Sequence, residues 1–132
     1  MKRISMAEKQ LYEKLKQKYL PNLTLEDSEF TTHDCYSFAP VMFIELKCRD
    51  IHYDELLIEK VKYDALINKP GPVRYVSETP KGCWVFDIKK LPEPCWYEKL
   101  LPDTTRSSWG NHELVWKMVG KYNINQGKFL VF

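Results

Sequence analysis

The sequence predicts a mixed α/β domain of the α+β kind, with a mixed central β-sheet flanked by helices. Three observations lead there. A helical periodicity with a capping signal opens the chain, and short apolar segments separated by turn residues follow it. A second, shorter helical pattern then lies between those segments and stops at Pro70-Gly71-Pro72. The expected order is helix, three strands, helix, strand (αβββαβ), with extra strands at the C-terminus.

Ser5 is placed to cap a helix running to about Tyr19, with Glu8 three positions on completing a capping box and Pro21 enforcing the stop. Ile4, Leu11, Leu15 and Tyr19 form its apolar stripe, and Glu8 falls on that stripe one turn before Leu11. Asn22 to Phe30 holds Leu23 and Leu25 ahead of Glu26, Asp27 and Glu29, which reads as a first strand turning into a solvent-facing acidic loop. Thr32 to Phe38 and Val41 to Cys48 read as strands joined at Ala39-Pro40. Within Ile51 to Asn68, Leu56-Leu57-Ile58 either ends a strand or opens a helix, whereas Lys60 to Asn68 reads as helix. Val73 to Val76 and Cys83 to Ile88 form strands around the turn Thr79-Pro80-Lys81-Gly82. Leu91 to Gly110 is loop-like and proline-punctuated, with Trp96, Tyr97 and Trp109 spread among Arg106, Ser107 and Ser108. Such residues stack bases and hold phosphates, or simply pack a long loop onto the domain. Leu114 to Val119 and Lys128 to Phe132 are the last strand candidates, the second following a turn at Asn125-Gln126-Gly127 and ending in the sheet or against a partner chain.

The chemistry concentrates between His33 and Lys47. Because side chains alternate along a strand, Glu45 and Lys47 project from one face while Met42, Ile44 and Leu46 line the other. A turn at Ala39-Pro40 folds the preceding strand back and brings Asp34 towards Glu45. Two carboxylates and a lysine at one spot suit a hard divalent cation beside a phosphate. An ordinary surface hairpin carrying an ion pair is the plainer alternative.

Asp34, a short gap, and then an apolar strand ending in Glu45-Leu46-Lys47 resembles the PD-(D/E)XK nuclease superfamily, the restriction-endonuclease-like fold. His33 stands where that motif has Pro. The resemblance covers roughly residues 5 to 90 of a single 132-residue domain, leaving 91–132 as a C-terminal extension. It implies that Asp34 and Glu45 bind Mg²⁺, with Mn²⁺ a possible substitute, that the Leu46 carbonyl adds a ligand, and that Lys47 assists phosphodiester hydrolysis. It further implies a metal-site role for Glu8 on the first helix, where simple helix capping is the other reading. Glu59-Lys60-Val61-Lys62-Tyr63 looks like the superfamily's next helix, whose lysine, Lys62 ahead of Lys60, meets the active site or the scissile phosphate. Arg49, Lys60, Lys62 and Arg106 are the expected nucleic-acid contacts.

Composition sets the remaining bounds. Apolar residues at 44% and charged residues at 29% fit a globular domain, with aromatics somewhat high at 14%. No apolar run approaches the length of a membrane span, and Met1-Lys2-Arg3 leads into a charged segment, so a cytoplasmic protein is expected. Cys35, Cys48, Cys83 and Cys95 form no Cys-x-x-Cys pair and read as thiols, several of them buried. A net charge of +2 does not by itself announce nucleic-acid binding. Its distribution is more telling: the first twenty positions hold Lys2, Arg3, Lys9, Lys14, Lys16 and Lys18 against Glu8 and Glu13, ahead of the acidic segment that carries the motif.

The functional expectation is a small DNA endonuclease, acting in the host cytoplasm if encoded by a phage or mobile element, with RNA not excluded as substrate and a homodimer possible. The alternatives are a catalytically inactive nuclease-fold protein that binds nucleic acid or serves in assembly, and an α/β interaction protein in which Glu45 and Lys47 are an exposed pair.

Overall fold

The computed structural model describes residues 4–28, 31–103 and 113–132. Helix α1 (Met6–Lys18) is followed by strands β1 (Thr24–Leu25), β2 (Cys35–Phe38), β3 (Val41–Cys48) and β4 (Glu55–Glu59). Helix α2 (Lys60–Ile67) leads to β5 (Val73–Thr79), β6 (Gly82–Asp87), β7 (Tyr97–Pro102), β8 (Leu114–Asn123) and, after a 3-10 turn, β9 (Lys128–Leu130). The fold is therefore α+β.

Among the described residues the strands form two sheets. The larger is mixed, with six strands in the order β1-β2-β3-β5-β6-β9, and the smaller has three in the order β4-β8-β7. Only β3 and β5 run parallel, in a register that sets Glu45 beside Tyr75 and Lys47 beside Ser77. A parallel pair needs a long crossover, and the chain between these strands supplies it as β4 and α2.

Alternation along β3 sorts the core into two parts. Ile44 and Leu46 join Leu11 and Leu15 of α1, with Leu23, Cys35 and Val76, on one face of the large sheet. Phe43 faces the other way, towards Val73, Tyr75 and Phe86, where Tyr63 and Leu66 of α2 and Leu56, Ile58 and Tyr122 of the small sheet close over it. Glu45 and Lys47 share the Phe43 face by the same alternation. Thus α1 covers one side of the large sheet, and α2 with the small sheet covers the other.

Ser5 caps α1 through a reciprocal pair, its Oγ accepting from Glu8 N at 3.1 Å and Glu8 Oε1 accepting from Ser5 N at 2.9 Å. The Ala39–Pro40 peptide is cis at the β2–β3 turn. At the β5–β6 turn Gly82 has φ 144°, a conformation that side-chain-bearing residues rarely adopt, and a Cβ there would meet Phe129 Cε2 at 2.4 Å. The four cysteines are free thiols. No described helix is long and apolar enough to cross a membrane.

One open reading is decided and two expectations require correction. Leu56-Leu57-Ile58, open in the sequence, lies in a strand whose alternate residues Leu56 and Ile58 are buried. Tyr97–Pro102, expected within a loop, is strand β7, paired antiparallel with β8. It was illegible because five of its six residues are exposed, so no apolar alternation marks it. Glu26, expected to face solvent, leaves only 17% of its side chain exposed and bonds His33 Nε2 at 2.6 Å.

Candidate active site

Glu45 is only 5% exposed, deep in β3 on the face that α2 covers. Lys62 Nζ lies 3.3 Å from its Oε1, reaching down from the first turns of α2. Lys60 turns elsewhere, pairing with Asp64 at 2.8 Å and standing 5.7 Å over the Trp96 ring. Lys62 is accordingly the α2 lysine that meets the carboxylate.

Asp34 is 2% exposed and sits one residue before β2. Its N–H donates to Ile44 O at 2.8 Å, although Ile44 is already the register partner of Cys35. Two residues thus oppose one, a bulge that ends the regular ladder. Beyond it the Asp34 side chain does what a backbone carbonyl would have done: Oδ2 accepts from Leu46 N at 2.8 Å. The carboxylate is thereby anchored to β3 between Glu45 and Lys47.

Glu26 supports this anchor twice, its N–H donating to Asp34 O at 2.9 Å and its carboxylate bonding His33 Nε2. The His33 ring packs edge-on against Phe43 with centroids 5.1 Å apart. His33, standing where the resembled motif has proline, therefore holds the approach to Asp34 in place.

Electrostatics at two buried groups shows which charges gather here. Burial pushes the Tyr75 hydroxyl far above the ordinary phenol range; Glu45 raises it further, Arg49 pulls it back, and Asp34 and Glu8 add smaller upward pushes. Lys47 is held below the ordinary lysine value of 10.5, first by burial and then by the Arg49 and Lys62 cations, while Glu8 and Glu45 act against the shift. Glu8 is therefore both the capping-box residue and a charge felt at Lys47 and Tyr75. Six of the expected site residues, Glu8, Asp34, Glu45, Lys47, Arg49 and Lys62, act on one neighbourhood from α1, the approach to β2, β3 with its end, and α2.

The donor set suits a hard cation. Asp34 and Glu45 supply carboxylate oxygens and Leu46 a carbonyl, and the Lys62 ammonium beside Glu45 occupies a position where positive charge is favoured. Among the described residues no three His, Cys, Asp or Glu side chains form a metal-holding group.

Sequence reasoning missed the contribution of the small sheet. Lys99 of β7 and Lys121 of β8 line a cavity with Arg49 at the ends of β3 and β5, and Lys117 pairs with Glu59 at 3.2 Å just before α2. The available signal was the spacing of Lys117 and Lys121, which share one face of a strand. Arg106 and the neighbouring Ser107, Ser108 and Trp109 lie outside the described residues. No family model matches the chain, and no curated protein matches it in sequence.

Proposed function

We propose that this chain is a metal-dependent endonuclease hydrolysing DNA phosphodiester bonds, built on the restriction-endonuclease-like plan that the Asp34 and Glu45-Leu46-Lys47 pattern resembles. The observation that carries the reading is the anchoring of Asp34 on Leu46 N at 2.8 Å, which fixes a second buried carboxylate on the β3 residue that stands between Glu45 and Lys47 in the chain. An isolated surface ion pair has no need to bury two carboxylates, each held by its own partner, Leu46 N for Asp34 and Lys62 for Glu45.

In this reading Asp34, Glu45 and the Leu46 carbonyl hold Mg²⁺ or Mn²⁺. When bound, the cation supplies Lewis-acid stabilisation of charge on the phosphate and a more acidic water. Lys47, partly desolvated, orients the attacking water through its ammonium and offsets charge building on the phosphoryl oxygens. Lys62 neutralises Glu45, and its ammonium would be available to a substrate phosphate at the same place. Arg49 contacts the nucleic-acid backbone, while Lys60, expected to do the same, is engaged with Asp64. RNA is a possible substrate of the same chemistry, and cutting both strands of a duplex calls for a homodimer or two encounters.

The test is incubation with plasmid, duplex, branched and single-stranded DNA in Mg²⁺ or Mn²⁺. Cleavage abolished by chelation and by Lys47→Ala, with the circular dichroism spectrum unchanged, is the expected result. Cleavage that survives the Asp34→Ala, Glu45→Ala double variant overturns the proposal. Salt-dependent DNA binding without any cleavage favours an inactive nucleic-acid-binding scaffold instead.

A further inference from the structure

Between the two sheets, at the C-terminal ends of β3 and β5, lies a cavity of about 370 Å³. Ser77, in its wall, is the register partner of Lys47, so the recess begins one inter-strand spacing, about 4.8 Å, from the backbone of that lysine. Arg49, also in the wall, follows Lys47 by two residues, roughly 6–7 Å along an extended chain. We propose that this cavity receives one unpaired nucleotide of the substrate strand, so that the enzyme acts on DNA carrying a single-stranded end, flap or gap. The placement rests on the nuclease reading of the adjoining site.

The lining divides by chemistry in the way such a ligand needs. Arg49 after β3, Lys99 in β7 and Lys121 in β8 bring three cations suited to flanking phosphates, Lys121 being shared with Glu55. Leu57, half-buried, gives an apolar wall for a base, with the buried Phe86 behind the lining, and Tyr53, 57% exposed, offers a ring on which one can stack. Ser77 adds a hydroxyl for a base edge, while the Thr79 hydroxyl is held by His52 Nδ1 at 2.8 Å and Lys81 N at 3.1 Å. The acids in the wall are themselves engaged, Glu55 with Lys121 at 3.5 Å and Asp54 with His52 at 3.2 Å. The volume is at the small end of the roughly 300–1,000 Å³ typical of small-molecule sites, a recess for a single unit rather than a trough for a duplex.

The experiment compares fluorescence-anisotropy binding of a blunt duplex and the same duplex with a five-nucleotide overhang, without divalent metal, for the wild type, Lys99→Ala/Lys121→Ala and Leu57→Trp. Both lysines are surface-exposed, so the double variant folds even if the tryptophan is not accommodated. The wild type is expected to favour the overhang by about tenfold, the worth of one stacked base, and the lysine variant to lose that preference. Equal affinity for both duplexes, no measurable binding of either, or an unchanged preference in the lysine variant overturns the proposal. Cleavage assayed in parallel separates the two readings. Overhang preference without cleavage sinks the nuclease and leaves the cavity assignment standing, whereas cleavage with no overhang preference does the reverse.

Discussion

Lys62 Nζ on α2 stands 3.3 Å from Glu45 Oε1 on β3, so a helix and a strand separated by β4 meet through one ion pair over the large sheet. The two partners differ in exposure, Lys62 at 32% and Glu45 at 7% of the side chain. The lysine is open to solvent but Glu45 is buried, so its removal leaves a buried acid short of its counter-charge. Lys62→Ala is therefore expected to lower stability by about 1–3 kcal/mol while lowering cleavage about 10–100-fold, with partial recovery of both in Lys62→Arg. Wild-type turnover in Lys62→Ala removes the lysine from the mechanism.

Asp34 has a structural duty as well as the proposed catalytic one, and two substitutions separate them. Asparagine keeps an oxygen that can accept from Leu46 N; alanine leaves that buried N–H without the acceptor it has now. Asp34→Ala should lose about 1–3 kcal/mol in chemical denaturation and Asp34→Asn clearly less, while both lose metal-dependent cleavage. Equal destabilisation of the two variants would show that the bond to Leu46 N is not what holds this segment.

Lys47 makes the opposite trade. Its pKa is lowered by burial and then by Arg49 and Lys62, so the folded protein holds this proton less tightly than the unfolded chain. Where the unfolded state binds more protons, stability rises with pH. Retaining the charged lysine thus destabilises the fold fully below the lowered folded value, and the burden lifts as pH climbs through it towards the ordinary 10.5. Lys47→Met is expected to abolish cleavage yet raise stability at neutral pH by on the order of 1 kcal/mol, with the advantage shrinking in alkali. A less stable Lys47→Met at pH 7 contradicts this account.

How much of this the sequence carried depends on where each signal is written. β3 was legible to the residue, since Val41–Cys48 alternates between two buried faces and is bounded by Pro40 and Arg49. So was the pairing of β2 with β3, because Ala39-Pro40 leaves little choice but a reversal. The bulge at Asp34 was not, as it depends on Ile44 O accepting from a residue adjacent to its register partner, and no residue type announces that. The split into two sheets was hidden for a similar reason. β4 and β8 look like any half-buried strands, and only tertiary contact decides which sheet receives them. Glu26 was misjudged because an acidic cluster normally faces water, whereas here His33, seven residues later, draws one member inward.

That inward acid gives the last prediction. Burial alone would raise the Glu26 pKa, but the Ser28 N–H, the His33 ring and the Asp27 N–H outweigh it, and the carboxyl ends below its ordinary value of 4.5. A depressed carboxyl contributes stability that is fully present above the unfolded value and is lost as pH falls through the folded one. Glu26→Gln removes that contribution, expected at about 1 kcal/mol once solvent screening of the partly exposed carboxylate is counted. Urea denaturation should then find the wild type more stable near pH 6, with the margin closing below about pH 4.5. A gap that persists unchanged to pH 3 would mean that Glu26 acts through packing, and that the carboxylate charge has no part in steadying the approach to Asp34.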